Sequence, residues 1–452
     1  MNRRTNRREF LSKTVLAGAG LWVAGATGYA RAQPRVQPRR ISPNEKLNIA
    51  VIGAGGRGAD DTKGVAGENI VALCDVDERQ AGKAYKKYPD AKRFQDYRKM
   101  LDEMGKSIDA VVIATPDHIH APVAVMAMQL GKHVYCEKPL TRSIWEARAM
   151  AETAAQCKVA TQMGIQGHGM SGHRRAVELL QAGAIGPVRE VHAWSDRPIW
   201  PQGIDRPTET EPIPPTLNWE LWLGPAPKRP YHHIYVPFNW RGWWDFGTGA
   251  LGDMGCHNMD VAFWGLNLGA PTTVEALKVS DVHKETFPKS SIIRWEFPAR
   301  GSLPPVTLTW YDGANKPAKE IADGLELPTN GCLCIGAKGK LLAPDWHAND
   351  FKLLPEKNFE GFVGSKETLP RLPGEYEERH HEEWIRACKG GPPALADFAY
   401  SGPMTEAVLL GNVAVRLGVG KKIEWDAANA KAKNHPEADP FIHPEIPKGW
   451  GL

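Results

Sequence analysis

Residues 47–58 read LNIAVIGAGGRG, an apolar run that passes without a break into three spaced glycines. A continuous apolar strand is typical of a parallel sheet covered on both faces. The glycines match the pattern G-x-G-x-x-G: Gly53 allows a tight turn, Gly55 lets a pyrophosphate approach the backbone, and Gly58 lets strand and helix pack closely. The run therefore predicts a strand–turn–helix unit that binds a dinucleotide, with Gly56 and Arg57 also beside the phosphates.

A second predicted strand, residues 69–73, leads to Asp75, which lies 20 residues after Gly55. A carboxylate at this spacing accepts hydrogen bonds from the adenosine ribose hydroxyls and repels a 2′-phosphate, so it favours NAD over NADP. Arg57 and Arg79 are close enough in sequence to weaken that preference. The alternative is that Asp75 is a turn residue or a helix cap.

The alternation of strands and helices continues beyond Asp75. Residues 109–114 (DAVVIA) form a predicted strand, residues 115–120 (TPDHIH) a loop, residues 121–130 a helix and residues 133–136 the next strand. This predicts a doubly wound parallel sheet with its ligand at the carboxyl ends of the strands. The residues predicted to line the cofactor site there are Thr115, Pro116, His118, His120, Glu137 and Lys138. For the two histidines, loop packing is the alternative to ligand contact.

Three residues carry the expected chemistry: Lys138 in the first half, and Asp253 and His257 in the second. Oxidation of a carbinol removes a hydride from carbon and a proton from oxygen, and the proton acceptor must reach that hydroxyl. Lys138 can orient the hydroxyl and stabilise the developing oxyanion, and Pro139 could hold a cis bond that aims it. Asp253 and His257 are four residues apart and share a helix face, so Asp253 can orient a His257 base. The alternatives are a surface lysine and a helix-capping pair.

Together these motifs resemble the Gfo/Idh/MocA family, which includes glucose–fructose oxidoreductase and inositol dehydrogenases. The resemblance is carried by the glycine loop, Asp75, the loop TPDHIHA, the triplet EKP at 137–139 and the segment GDMGCHNMD at 252–260, and it spans essentially the whole mature chain. It implies an α/β Rossmann domain followed by an α+β domain with a mostly antiparallel open sheet. It also implies catalytic roles for the lysine, the aspartate and the histidine, and a sugar, sugar derivative or cyclitol as substrate.

The second half changes character near residue 161, because its predicted strands are separated by few helices. These strands are residues 188–195, 273–279, 291–297, 306–311, 332–335 and 340–342. The pattern favours a mostly antiparallel sheet with one face covered. An uncovered apolar face would favour a homo-oligomer. We therefore assign residues 45–160 to the nucleotide-binding domain, 161–430 to the substrate and oligomerisation domain, and 431–452 to a C-terminal tail.

Residues 198–237, rich in proline and aromatic side chains, predict a long excursion over the site. Aromatic faces suit the C–H faces of sugars, while sugar hydroxyls need polar partners. The predicted substrate contacts are Gln166, His168, Trp240, Arg241 and Trp244. For the tryptophans, core packing is the alternative, and for His168 it is loop packing.

Composition narrows the class of protein. The chain of 452 residues carries 56 basic and 52 acidic residues. Residues 1–33 hold six of the basic residues and one of the acidic residues. The remaining chain therefore has 50 basic and 51 acidic residues, a net charge of −1. This balance gives no case for nucleic acid or an anionic membrane as partner, and no later run is apolar enough to span a bilayer.

Seven scattered cysteines are not a disulfide framework. We expect no metal site: Cys332 and Cys334 are interpreted as strand residues, and the run HHEE at 380–383 as a solvent-exposed helix start.

Residues 1–33 predict a twin-arginine signal peptide, NRREFLSK followed by a small-residue apolar stretch, with residues 34–44 as a polar linker. An uncleaved anchor helix is the alternative. Export of an already folded protein suits one that loads its cofactor in the cytoplasm and holds it tightly. Three functions are open: net oxidation or reduction of a sugar or cyclitol, a glycosidase that oxidises transiently, and a catalytically silent NAD-binding sensor.

Overall fold

The computed structural model describes residues 36–450 and residue 452. The predicted signal peptide lies outside the described residues, and the described part of the linker packs against the first domain. There the guanidinium of Arg39 forms two hydrogen bonds, of 2.8 and 2.9 Å, with the carboxylate of Asp109.

The first domain is built on a six-stranded parallel sheet in the order β3-β2-β1-β4-β5-β6. Its strands are β1 (Asn48–Ile52), β2 (Asn69–Cys74), β3 (Lys92–Phe94), β4 (Ala110–Ile113), β5 (His133–Glu137) and β6 (Thr161–Gly164). Its helices are α1 (Arg57–Gly64), α2 (Glu78–Lys87), α3 (Tyr97–Met104), α4 (Asp117–Gln129) and α5 (Ile144–Cys157). Strands β4 and β5 are buried along their whole length, as their continuous apolar runs predict.

The second domain carries a nine-stranded sheet in the order β13-β12-β11-β7-β10-β9-β8-β14-β15. Its strands are β7 (Val188–Trp194), β8 (Thr273–Val279), β9 (Ser291–Phe297), β10 (Val306–Tyr311), β11 (Gly331–Gly336), β12 (Lys340–Ala343), β13 (Lys352–Leu354), β14 (Ile423–Asp426) and β15 (Lys431–Ala432). The β7–β10 pair is parallel and the other pairs are antiparallel. The predicted fold class is therefore confirmed.

The helices of the second domain lie along one face of this sheet and between the two domains. They are α6 (Ser171–Gln181), α7 (Trp219–Leu223), α8 (Gly249–Asn258), α9 (Asp260–Gly265), α10 (Tyr376–Cys388), α11 (Phe398–Leu417) and α12 (Asp439–Ile442). The long helix α11 packs against α5 of the first domain and against α8 and β8 of the second. One hydrophobic core consequently runs through both domains and fixes their relative position.

The outer face of the large sheet differs from the expected apolar patch. Near one edge, Trp194, Leu333 and Leu342 are covered by a segment of the same chain that contributes Ala322 and Leu327. Towards the other edge the face is polar, with Arg294 3.2 Å from Glu275. This face therefore gives no apolar argument for self-association, and the homo-oligomer stays a prediction. Among the described residues there is no helix that could cross a membrane.

Candidate active site

A cleft runs along the carboxyl ends of β1, β2, β4 and β5 and is closed from above by the second domain. Residues of the first domain that line it include Gly53, Gly55, Gly56, Arg57, Asp75, Thr115, Pro116, Glu137 and Lys138. The second domain contributes Trp240 and Arg241, among others. The cleft thus lies where a doubly wound sheet binds its ligand.

The glycine loop has the shape that a dinucleotide phosphate needs. A Cβ on Gly58 would lie 1.8 Å from the carbonyl oxygen of Gly53, so only glycine allows this packing of helix on strand. Gly56 has a φ of +49° and nothing within 4 Å of the position of a Cβ, which leaves the cleft side of the loop open. Helix α1 begins there without a side-chain cap. The N–H groups of Gly58 and Ala59 bond the carbonyl oxygens of Gly55 and Gly56, so the positive end of the helix dipole is what would attract a phosphate.

Asp75 holds the loop from the end of β2. Its carboxylate accepts hydrogen bonds from the backbone N–H of Gly55 at 3.0 Å and of Asp77 at 2.9 Å. Burial raises the pKa of Asp75 to about 6, so the group is mostly ionised at neutral pH. Its place on the cleft wall, next to the glycine loop, fits the ribose contact that the sequence predicted.

Arg57 and Glu137 lie on the cleft wall but bond to each other. The Arg57 Nε is 3.0 Å from Glu137 Oε1, and its Nη2 is 2.8 Å from Asp61. Although burial opposes ionisation, the charges of Arg57 and Lys138 hold the pKa of Glu137 below its usual value. Gln166, predicted to contact substrate, donates instead to Glu137 at 2.7 Å and is buried. These side chains shape the floor of the site.

Lys138 and Asp253 join the two domains at one end of the cleft. The Lys138 Nζ lies 2.9 Å from the Asp253 carboxylate and 2.7 Å from the Asp253 carbonyl oxygen. The Lys138–Pro139 peptide is cis, as the sequence suggested. Burial alone would raise the pKa of Asp253, but Lys138 and Arg241 hold it far below its usual value. Asp253 is therefore ionised, and its bonding partners are Lys138 and Arg241 rather than His257.

His257 lies one turn further along α8, buried with its ring against Trp346 at 5.0 Å between centroids. Burial and the positive charge of Lys138 lower its pKa well below the usual value. The imidazole is consequently neutral at pH 7, and the same burial and charge that keep it neutral weaken it as a proton acceptor.

The sequence interpretation missed Asp117, which lines the cleft at the first residue of α4. Its side chain is buried and accepts a hydrogen bond from the Thr248 hydroxyl at 2.7 Å. Burial raises the pKa of Asp117 to about 7, opposed by the Thr248 bond and by the charges of Arg241 and Lys138. A carboxyl group that titrates near neutrality beside a cationic lysine is a candidate proton acceptor. Asp117 is part of the loop TPDHIHA that the sequence analysis assigned to the cofactor site, but it was not among the residues of that loop predicted to line the site.

The structure places His118 and His120 outside the cleft, because α4 starts at Asp117 and not at residue 121. The ring nitrogens of His118 face the carbonyl oxygens of Phe246 and Trp222, at 3.2 and 3.0 Å. Those of His120 face the carbonyl oxygens of Pro139 and Thr115, both at 2.9 Å. With both nitrogens of each ring facing backbone carbonyl oxygens, neither ring is available to a ligand: His118 packs at the domain junction and His120 within the first domain.

Two predicted substrate residues also lie elsewhere. His168 is fully buried, with its Nδ1 2.9 Å from Asp260 and its ring stacked on Trp264 at 3.8 Å. Trp244 borders a separate small cavity, where its ring packs on Phe287 at 3.6 Å. Trp240 and Arg241 do line the main cleft. Among the aromatic side chains that the sequence interpretation missed there is Phe238, which is 42% exposed.

The run at 380–383 is not an exposed helix start, so that interpretation was wrong. His380 and His381 are completely buried, and His381 stacks on Tyr135 at 4.3 Å. The reason is that α10 packs against α1 of the first domain, which buries this face of the helix.

The excursion and the C-terminus close the adenosine side of the cleft. The backbone N–H of Asn218 donates to the Val76 carbonyl oxygen at 2.8 Å, and Glu78 N–H donates to the Thr216 carbonyl oxygen at 3.0 Å. Trp450 also lines the cleft, beneath the guanidinium of Arg98 at 4.4 Å from its ring. Both segments follow the first domain in the chain and lie against it.

Comparison with known proteins gives two matches to family descriptions. Residues 47–165 match "Oxidoreductase family, NAD-binding Rossmann fold", and residues 193–342 match "Oxidoreductase family, C-terminal alpha/beta domain". The nucleotide-binding half is thus an NAD-binding Rossmann domain.

Individual relatives align over part of their length. A glycosyl hydrolase family 109 protein of Saccharopolyspora erythraea is 32% identical over 174 residues, 34% of this chain and 37% of the relative. An inositol 2-dehydrogenase of Salmonella paratyphi B is 30% identical over 152 residues, 32% of this chain and 45% of the relative. The chain therefore spans less than half the length of either curated relative.

Among solved structures, the WlbA dehydrogenase from Bordetella pertussis in complex with NADH and UDP-GlcNAcA superposes with a TM-score of 0.59. The match is 17% identical and covers 84% of this chain and 99% of that one. Likeness at this identity concerns the fold.

Proposed function

The chain belongs to the Gfo/Idh/MocA oxidoreductase family, and from this premise we propose that it is an exported NAD-dependent oxidoreductase acting on a carbinol of a sugar, sugar derivative or cyclitol. The single observation that carries the proposal is the bond between Lys138 Nζ and Asp253 at 2.9 Å. It sets a cation from the dinucleotide-binding domain against a carboxylate from the second domain, beside the cleft that fits the cofactor.

The chemistry follows from what these side chains can do to an alcohol. Bound NAD supplies the acceptor for the hydride that leaves the carbinol carbon. Lys138 donates a hydrogen bond to the carbinol oxygen and stabilises the negative charge that develops there. The proton from that oxygen passes to the protein, to neutral His257 or to ionised Asp117, and the alcohol becomes a ketone. Asp253 remains ionised and keeps the ammonium in place.

The residues around the adenosine end favour NAD over NADP. The Asp75 carboxylate would repel a 2′-phosphate. Arg57, which the sequence offered as a phosphate partner, already pairs with Asp61 and Glu137. A cation engaged by two carboxylates is a poor partner for a third anion.

We also propose that the cofactor stays bound between turnovers. The twin-arginine pattern in the leader supports export, and outside the cytoplasm a released coenzyme would have no pool from which to be regenerated. The bonds of Thr216 and Asn218 across the cleft, together with Trp450, support slow cofactor release. The redox cycle would then close on the enzyme, with one sugar oxidised and another reduced.

A second function is favoured by the relative of glycosyl hydrolase family 109. In that chemistry a ring hydroxyl is oxidised to a ketone, the neighbouring C–H loses a proton, the glycosidic C–O bond breaks, water adds and the hydride returns. The same lysine and proton acceptors would serve, and no net oxidation would result. Free sugar released from a glycoside without accumulated NADH would identify it.

The test begins with the purified exported protein and its absorbance, which reports retained NAD(H). A panel of sugars, cyclitols and glycosides is then assayed for cofactor reduction and for glycoside cleavage. Lys138→Ala should retain cofactor and lose turnover, while Lys106→Ala, at an exposed lysine of the same domain, should behave as wild type. Full turnover by Lys138→Ala would overturn the catalytic assignment. Bound cofactor without turnover on any substrate would favour a sensor.

A further inference from the structure

Two arginines converge on the carboxylate that pairs with Lys138. The Nε of Arg241 lies 3.1 Å from Asp253 Oδ1, and the Nε of Arg197 lies 3.9 Å from Asp253 Oδ2. One ionised carboxylate therefore faces three cations at the domain-joining end of the cleft.

Other carboxylates compensate this charge only in part. Arg197 has a second partner in Asp196 at 2.6 Å, and Asp196 is itself largely exposed. Within the part of the chain that the structure describes, Asp253 is the sole carboxylate within 4.0 Å of the Arg241 guanidinium. Asp117 also lines the cleft and feels the charge of Arg241, so it offsets part of the positive charge without bonding the guanidinium.

The Arg241 guanidinium still has donors to offer. Its Nε bonds Asp253, and its Nη1 donates to the Phe238 carbonyl oxygen at 3.1 Å. Its Nη2 makes no hydrogen bond to any described residue. The side chain is 20% exposed and lines the cleft, so these N–H groups are within reach of a ligand there.

Aromatic rings flank the same guanidinium and fix its plane. It lies 4.2 Å from the ring centroid of Trp240 and 4.5 Å from that of Phe238. Phe238 is 42% exposed, which leaves it free to pack against the C–H face of a sugar ring. An anionic group on that sugar would then meet a planar, oriented guanidinium, the geometry that best recognises a carboxylate.

Resting on the proposed function, we propose that the substrate is an acidic sugar, a uronic acid or its glycoside, whose carboxylate pairs with Arg241 while its ring packs on Phe238. Arg197 adds a second positive charge behind Asp253. A neutral sugar could still pack on Phe238, but it would leave the Nη2 group of Arg241 without an anionic partner.

The experiment compares a matched pair, a glucuronide and the corresponding glucoside, on the purified holoenzyme. The wild type should prefer the glucuronide in kcat/KM by about tenfold or more, as expected for a charge-assisted hydrogen bond. Arg241→Gln should abolish that preference, and Arg241→Lys should restore only part of it, since an ammonium lacks the planar fork. The ratio between the two substrates is the readout, because a purely structural effect on Asp253 would lower both rates alike.

Equal losses on both substrates would overturn the proposal, as would a wild type that prefers the glucoside. Should Arg241→Gln not fold, Arg197→Gln, at a more exposed side chain, should reduce the preference by a smaller factor, and an unchanged ratio there would also count against it. Calorimetric binding of free glucuronate and of glucose to the holoenzyme needs no turnover. Tighter glucuronate binding without any oxidation would uphold the acidic-sugar site and reject the proposed oxidoreductase function.

Discussion

The Thr248 hydroxyl donates a hydrogen bond of 2.7 Å to the Asp117 carboxylate. Thr248 immediately precedes α8, which carries Asp253 and His257, whereas Asp117 begins α4 in the nucleotide-binding domain. This contact and the Lys138–Asp253 pair therefore tie α8 to two points of the nucleotide-binding domain, the start of α4 and the end of β5. A change in the protonation of Asp117 acts directly on the junction that holds the proposed catalytic lysine.

Asp117 should set a limb of the pH profile. The pKa of its carboxyl is raised to about 7 by burial, so the ionised form that can accept a proton increases as pH rises through 7. We expect kcat/KM to rise with pH between about 6 and 8, and Asp117→Asn to remove this limb and reduce kcat by about 10²-fold. The measurement is the pH dependence of kcat/KM for the wild type and for Asp117→Asn, at a saturating concentration of cofactor. An unchanged profile in the variant would assign the limb to another group.

Asp253→Asn should leave the cofactor bound and lower turnover. The variant keeps the side-chain shape but removes the charge that pairs with Lys138 at 2.9 Å and Arg241 at 3.1 Å. We expect kcat to fall by about 10²-fold or more while the cofactor content of the purified protein stays at the wild-type level. Absorbance and single-turnover kinetics separate the two quantities. Loss of cofactor together with activity would indicate that Asp253 acts on the fold of the cleft instead.

Trp450→Ala should accelerate cofactor release. The ring lines the cleft, lies under Arg98, and would be 3.5 Å from a Cβ on Gly224, so it bridges the two walls. We expect the dissociation rate of NADH to increase by about tenfold, with kcat unchanged when NAD is supplied in excess. A chase with oxidised cofactor gives the rate. Trp145→Ala, at a partly buried tryptophan away from the cleft, is the control; equal rates in both variants would exclude a role for Trp450 in retention.

Local patterns predicted most of the fold. Strands β8, β9 and β10 have the bounds that their apolar or alternating runs predicted, because side chains alternate between the two faces of a strand and the inner face is buried. The glycine loop and Asp75 lie on one cleft because the βα turn and the end of the next strand are neighbours in a parallel sheet.

The remaining errors come from packing that local patterns do not contain. The direction of His118 and His120 depends on where α4 begins. A helix start at Asp117 turns both rings inward, His118 towards carbonyl oxygens of the second domain and His120 towards those of Pro139 and Thr115. His381 is buried because α10 docks on α1, a contact between segments more than 300 residues apart. Asp117 gains its chemical interest from burial and from Thr248, neither of which its neighbours in sequence reveal.

The buried pair between Arg148 of α5 and Glu406 of α11 should be essential for stability. The guanidinium and carboxylate meet in two bonds of 2.7 and 2.8 Å, and both side chains are almost completely buried. Glu406→Gln removes the charge that compensates Arg148, so we expect the free energy of unfolding to fall by about 3–5 kcal/mol. The double variant Arg148→Met, Glu406→Leu should recover most of this loss, because it removes both charges of the pair together.

Denaturant unfolding of the holoprotein measures both effects, and the chain offers a matched control. Arg386 and Glu382 pair at the same 2.7 Å, but on the exposed surface of α10, with 49% and 40% of their side chains exposed. Glu382→Gln should therefore change the free energy of unfolding by less than about 0.5 kcal/mol. Equal effects of Glu406→Gln and Glu382→Gln would mean that water reaches the pair between α5 and α11, and that the domain junction is held by its apolar contacts alone.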